Sequence, residues 1–227
     1  MLTKKQLQIK QKWKSSNIKI SKELRDIIHG YIMSDGYLSA SGGLQIKQSR
    51  KQRKFVEWLY EKLEAIRTDT PILDEIVLDK RSNKGSYNSR FNTRNLLQGF
   101  RFMWYKPYKT EKGVLKYKKS LPKSLDCFFN SICLTLWFAG DGSKILGSQG
   151  SKIEVTAFTA DERLRLQELF LKKFNLSVQI NRAGKTKKGN QQWTLNINAS
   201  EYQKFRNLIT KIDLIPNLFP EKLHKAQ

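Results

Sequence analysis

Two aspartates 106 residues apart (141 − 35), Asp35 and Asp141, stand in closely similar surroundings, and that recurrence is the first sign of chemistry in the chain. Each closes an apolar run: Leu24 to Gly36 reads LRDIIHGYIMSDG, and Cys133 to Gly142 reads CLTLWFAGDG. In the first run Leu24, Ile27, Ile28, Tyr31 and Ile32 recur at helical spacing, which predicts a helix with one apolar face. In the second, Ile132, Leu134, Leu136, Trp137 and Phe138 are apolar nearly all round, which predicts a helix buried on every side. Both helices are then expected to end in one acid and a glycine in the left-handed conformation, Gly36 or Gly142. A carboxylate at a helix C-terminus faces the negative end of the dipole, at a cost of roughly 0.3–1 kcal/mol. Side by side, two such carboxylates also repel and raise each other's pKa. A divalent cation reverses both penalties. One Asp-Gly is a turn dipeptide and nothing more; two at matching positions point to a shared metal site.

The elements around the acids repeat as well. After the first helix, Tyr37 to Gln48 predicts a hairpin around Ser41-Gly42-Gly43, with Leu44 and Ile46 facing one way and Gln45 and Lys47 the other. Lys54 to Ile66 predicts a helix, Ile76–Leu78 and Tyr87–Thr93 a second hairpin with a cationic tip at 80–85, and Asn95 to Tyr105 a closing helix. After Asp141 the order returns: a hairpin over 144–158, a helix over 161–174, strands 177–182 and 191–198 about a cationic tip at 183–190, and a helix over 202–212. The fold class is therefore α+β. Two pseudo-symmetric αββαββα halves each form an antiparallel sheet with helices on one face and a polar face left open. The boundaries are 1–23 for a basic arm, 24–106 for the first half, 107–125 for a basic linker and 126–227 for the second half.

Composition bounds the partner. Forty-three Lys and Arg against 20 Asp and Glu give a net charge of +23, far beyond what solubility needs, and point to a polyanion. Between residues 80 and 119 stand twelve Lys or Arg and one acid, Glu111. Basic residues mixed with amides and hydroxyls on strands and tips suit phosphates and base edges. The candidates for DNA contact are Lys47, Gln48, Arg50, Arg81, Lys84, Arg90 and Arg94 in the first half, and Lys144, Lys152, Arg182, Lys185, Lys187 and Lys188 in the second. No apolar run reaches the ~18 residues of a membrane span. Cys127 and Cys133 lie six residues apart with no zinc-ligand spacing around them, and read as unpaired thiols of a reducing compartment.

HGYIMSDG and LTLWFAGDG resemble the two signature helices of monomeric LAGLIDADG homing endonucleases, and the resemblance runs from about Leu24 to Lys222. It implies two halves forming a saddle over DNA, the signature helices between them, and Mg²⁺ held by Asp35 and Asp141 with the carbonyls of Ser34 and Gly140. KKSLP at 118–122 and IPNLFPEKL near the C-terminus look like the segments that bring a lysine to each site, giving Lys119 and Lys222. Gln45 resembles the family position that orients water. His29 and Leu136 are bulkier than the small residues the family often uses where the helices touch. The activity implied is metal-dependent hydrolysis of both strands of a long, weakly palindromic duplex by a monomer, in an organelle if an intron there encodes it. Two other readings share the scaffold: a maturase binding intron RNA, which needs the basic surface but not the acids, and a DNA-binding regulator without nuclease activity, a class that commonly lacks them.

Overall fold

The computed structural model describes residues 20–78, 85–186 and 189–225. Its chain divides into two compact units, one comprising Asp35–Met103 with the residues up to Arg25, the other Asp26–Ser34 with Trp104–Gln227. The helix α1 (Lys22–Met33) thus begins in the first unit and runs into the second. It starts inside the segment expected to be a basic arm, because the Ser21 hydroxyl accepts from the Leu24 N–H at 3.1 Å and caps the first turn. The rest of that arm, residues 1–19, lies outside the described residues.

In the first unit, β1 (Tyr37–Leu38), β2 (Leu44–Ser49), β3 (Leu73–Leu78) and β4 (Gly85–Asn92) form an antiparallel sheet in the order β1-β2-β4-β3. Strict alternation along β2 buries Leu44 and Ile46 and exposes Gln45 and Lys47. Ile46 pairs with Phe91, so β2 and β4 present one apolar face, against which α2 (Arg53–Lys62) lays Phe55, Val56 and Leu59. The closing helix, α3 (Gln98–Trp104), is shorter than expected at its N-terminal end.

The second unit repeats the topology: β7 (Gly142–Lys144), β8 (Ser151–Glu154), β9 (Gln179–Lys185) and β10 (Gln191–Ile197) pair in the order β7-β8-β10-β9. Ile153, Leu195 and Ile180 stand in register across its covered face. The helix α4 (Ser131–Asp141) is buried without a break from Cys133 to Ala139, as its all-round apolarity predicts. It packs on α6 (Ala199–Ile209) and α7 (Leu214–Leu218), and on α1 around Gly30. There Gly30 meets Leu136, its counterpart at the repeat distance: a Cβ on Gly30 would sit 2.7 Å from Leu136 Cβ and 2.5 Å from the Cys133 carbonyl oxygen. The bulk of Leu136 is accommodated because the opposing residue is glycine. His29 turns aside, its ring stacked on Phe128 at 3.6 Å and its Nδ1 accepting from Trp104 Nε1 at 2.9 Å. Asn130 joins the two helices, capping α4 through Cys133 N–H and donating to Asp26 Oδ2 at 2.7 Å.

Two expectations are corrected. Residues 107–125 are not a plain linker, since β5 (Tyr105–Lys109) and β6 (Leu115–Lys119) pair as a hairpin. Tyr108, Leu115 and Tyr117 supply β-forming residues among the lysines, and Gly113, at φ +74°, turns the chain. Neither Gly36 nor Gly142 is among the positive-φ glycines of the described residues. Gly142 is extended and opens β7, and glycine is needed there for room: a Cβ would lie 2.0 Å from the Phe138 ring. Both cysteines are free, Cys127 exposed and Cys133 buried, and among the described residues no helix is long and apolar enough to cross a membrane.

Candidate active site

The two acids end their helices in different ways. Asp141 is the last residue of α4, half-buried, and takes a hydrogen bond from the indole N–H of Trp137, one turn earlier, at 3.3 Å. Asp35 lies two residues beyond α1, exposed, and its Oδ2 accepts from Gln48 Nε2 at 2.9 Å. Gln48 can do this because strand alternation turns it to the same side as Ile46, where it is buried, rather than to the open face on which a DNA contact was expected. Gln45 does occupy the open face and pairs with Tyr37, two residues after Asp35. The equivalent pair in the second unit is Ser143 with Lys152, so a lysine stands where the first unit has its glutamine.

Each helix end is met by a lysine from a remote segment. Lys119, the last residue of β6, donates from Nζ to the carbonyl oxygen of Ser34 at 2.8 Å. Lys222, the last residue of a single 3-10 turn that opens at Pro220, donates to the carbonyls of Ala139 at 2.6 Å and Phe138 at 3.3 Å, with Gly140 at 3.5 Å. Helix-end carbonyls carry the negative end of the dipole, and an ammonium placed on them offsets the acid that follows. Ser34 and Gly140, expected to offer carbonyls to a metal, thus offer them to these lysines.

The segment carrying Lys119 is held by Glu162, on α5 (Ala160–Phe174). Its Oε1 accepts from the Ser120 hydroxyl at 2.7 Å and the Leu121 N–H at 2.8 Å, while its Oε2 accepts from the Thr159 N–H at 2.9 Å in a capping box. Partial burial pushes the Glu162 carboxyl up, but those hydrogen bonds outweigh it, and the group lies below the ordinary carboxylate range. The capping box is legible in the sequence as Thr159 followed three residues later by Glu162; the reach to Ser120 is not.

The expected DNA contacts separate by place. Lys47 and Arg90 share the open face of the first sheet and both pair with Glu75, at 2.8 and 2.6 Å. Arg50 approaches Asp74 at 4.0 Å, and Arg94 donates to the Ala65 carbonyl at 2.5 Å, which ties it to its own unit. Lys144 and Lys152 are half-buried on β7 and β8, and Lys185 is exposed at the end of β9. Arg182 is placed away from the open face: it pairs in register with Trp193, on the side of Ile180 and Leu195, and its guanidinium lies 5.6 Å from that ring. Arg81, Lys84, Lys187 and Lys188 lie outside the described residues.

Among the described residues no three His, Cys, Asp or Glu gather into a metal cluster. Each helix end therefore offers one carboxylate and nearby carbonyls. That donor set suits a hard cation that completes its shell with water and phosphate oxygens, as Mg²⁺ does, and not a closed zinc site.

The chain belongs to the LAGLIDADG DNA endonuclease family, whose model matches residues 25–205. Its fold is that of the homing endonuclease I-WcaI, solved bound to its DNA recognition sequence, with a TM-score of 0.74 at 18% identity over 95% of this chain and 92% of that one. Full-length DUF199/WhiA from Thermatoga maritima is also matched, at TM-score 0.48 and 16% identity over 97% of this chain and 67% of that one. So is the meganuclease I-SmaMI bound to uncleaveable DNA, at TM-score 0.42 and 11% identity over 91% and 87%. No curated protein sequence is matched.

Proposed function

We propose that this protein is a site-specific DNA endonuclease that hydrolyses one phosphodiester in each strand of a long duplex target with the help of a divalent metal such as Mg²⁺. The observation that carries this reading is the repeated construction at the two helix ends, where an acid follows carbonyls that a lysine from another segment reaches, Lys119 at Ser34 and Lys222 at Ala139. Family membership and the +23 charge support it.

In each cut a water oxygen bonds to phosphorus, the P–O3′ bond breaks, and the water proton is passed through solvent to the leaving 3′-oxygen. Asp35 and Asp141 would hold the cations, with the carbonyls of Ser34 and Gly140 as further ligands once the lysines turn from them. A bound divalent cation supplies neutralisation of phosphoryl charge and a more acidic water. Lys119 and Lys222 would donate to phosphate or water as negative charge develops. Gln45, on the open face, would orient water in the first unit, and Lys152 holds the matching register position in the second.

The test compares wild type, Asp35→Asn, Asp141→Asn and the double variant on a duplex selected from a randomised library, with Mg²⁺ and with EDTA. Cleavage is expected to collapse in every variant and in EDTA, while binding persists or strengthens as negative charge is removed. Full cutting of both strands by the double variant would end the metal-acid mechanism. Binding of the selected duplex with no cutting by wild type in Mg²⁺ would favour a regulator, and preference for intron RNA a maturase.

A further inference from the structure

The open face of the first sheet carries an acid among its cations. Glu75 on β3 accepts from Lys47 Nζ through Oε1 at 2.8 Å and from Arg90 Nε through Oε2 at 2.6 Å. The register makes this a feature of the face itself: Lys47 is directly opposite Arg90, and Glu75 pairs with Asn88, two residues along β4 on the same side. The hydrogen bond from Lys47, followed by that from Arg90, holds the Glu75 carboxyl below the ordinary range, so it is charged wherever the protein is folded near neutral pH. All three side chains remain reachable from solvent, at 44% for Lys47, 27% for Glu75 and 38% for Arg90.

On a surface that meets phosphates, a carboxylate weakens attraction and cancels one of two positive charges. What it supplies is direction. Arg90 spends its Nε on Glu75, and both Nη groups are left without a protein partner among the described residues. A guanidinium fixed at Nε with its two terminal amino groups unspent is the donor pair that reads O6 and N7 of guanine in the major groove. A loose arginine would spread its donors over phosphates, which carry no sequence information. Resting on the endonuclease reading above, we infer that Glu75 is a specificity-determining positioning residue: it holds Arg90, with Lys47 beside it, to read guanine at one or two base pairs of the target half-site bound by the first sheet.

The experiment uses the full chain without metal, in EDTA, so that binding is read apart from cutting. Wild type, Glu75→Gln and Arg90→Lys are each equilibrated with a randomised duplex library, and the bound pools are sequenced. Affinity for one fixed duplex of unrelated sequence is measured alongside, with melting temperature as a control for folding. Wild type should enrich guanine at one or two positions. Both variants should lose that preference by roughly fivefold or more while the rest of the motif stands. Glu75→Gln should also bind the unrelated duplex several-fold tighter, with a salt slope steeper by about one. A motif unchanged in Glu75→Gln, or one weakened equally at every position, overturns the inference and leaves the endonuclease reading intact. A G·C position lost in Glu75→Gln but retained in Arg90→Lys would also overturn it, by making Glu75 itself the base contact. Wild type that enriches no motif removes the site-specific reading and this inference with it.

Discussion

At the scale of single residues, the two signature helices meet through an unequal pair. Gly30 leaves the space that Leu136 and the Cys133 carbonyl fill. Gly30→Ala is therefore expected to overpack the contact and destabilise the fold by about 1–3 kcal/mol despite alanine's better helix propensity, which thermal melts would read. A gain in melting temperature would show that the contact can relax. The thiols give a second expectation. Burial, with the charge of Asp26 added, pushes Cys133 well above the ordinary thiol range, whereas Cys127 is exposed. Native protein should label with a thiol reagent at Cys127 alone, and at both positions only after unfolding. Asp35 and Asp141 could be read from sequence because both follow an apolar run of helical length. Their hydrogen-bonding partners could not: Trp137 lies one helical turn from Asp141, but Gln48 reaches Asp35 across a strand pairing that spacing alone does not reveal.

At the scale of elements, Glu162 links the N-terminus of α5 to the segment that carries Lys119. Its carboxyl is depressed in the folded state, so its contribution to stability is fully present above the ordinary carboxylate pKa and is lost as pH falls through the lower folded value. Glu162→Gln should lower stability at neutral pH by about 1–2 kcal/mol, the scale of a lost cap and charged hydrogen bonds. The deficit relative to wild type should narrow below about pH 4, where the wild-type group is also protonated. A deficit that stays constant from neutral to acid pH would mean that the carboxylate charge contributes nothing. The same variant should slow cleavage more than it weakens DNA binding, since Lys119 loses its support. Most elements were legible from apolar periodicity and turn residues, and the repeat of the first sheet's order in the second followed from them. The β5–β6 hairpin was not, because its β-forming residues are outnumbered by lysines and both of its faces are largely exposed. The side that Arg182 takes was illegible for a related reason: it is set by the register opposite Trp193, which the local sequence leaves open.

At the scale of the molecule, a net charge of +23 predicts steep salt dependence in DNA binding. If about six to ten cations meet phosphate, log K should fall against log salt with a slope of about −5 to −9. The structure argues for fewer contacts than the number of basic residues suggests. Arg94 is tied to a backbone carbonyl, Arg182 lies against Trp193, and Lys47 and Arg90 share the charge of Glu75. Binding titrations across a salt series would measure the slope, and a value near zero would assign the charge to another purpose. Because both sheet units lie in one chain, a 1:1 complex is expected in sedimentation on a single target. An obligate dimer on that target would contradict it.

The second unit is discontinuous along the chain: it draws Asp26–Ser34 from before the first sheet and everything else from Trp104 onward. During synthesis α1 therefore leaves the ribosome about 100 residues ahead of α4, the helix its Gly30 face packs against. At about 5–20 residues per second that face waits roughly 5–20 s with its apolar side chains uncovered. A nascent chain arrested before α4 emerges should be protease-sensitive at α1 and should recruit chaperones, and protection should appear only once residues beyond Asp141 are free. The same discontinuity means that a gene cut between Met103 and Trp104 yields two pieces, neither of which contains the whole second unit. Expressed separately, the second piece is expected to remain loosely folded, and the first, which holds the whole first unit, to aggregate through the uncovered face of α1; expressed together, they should recover a soluble complex whose assembly depends on residues 26–34.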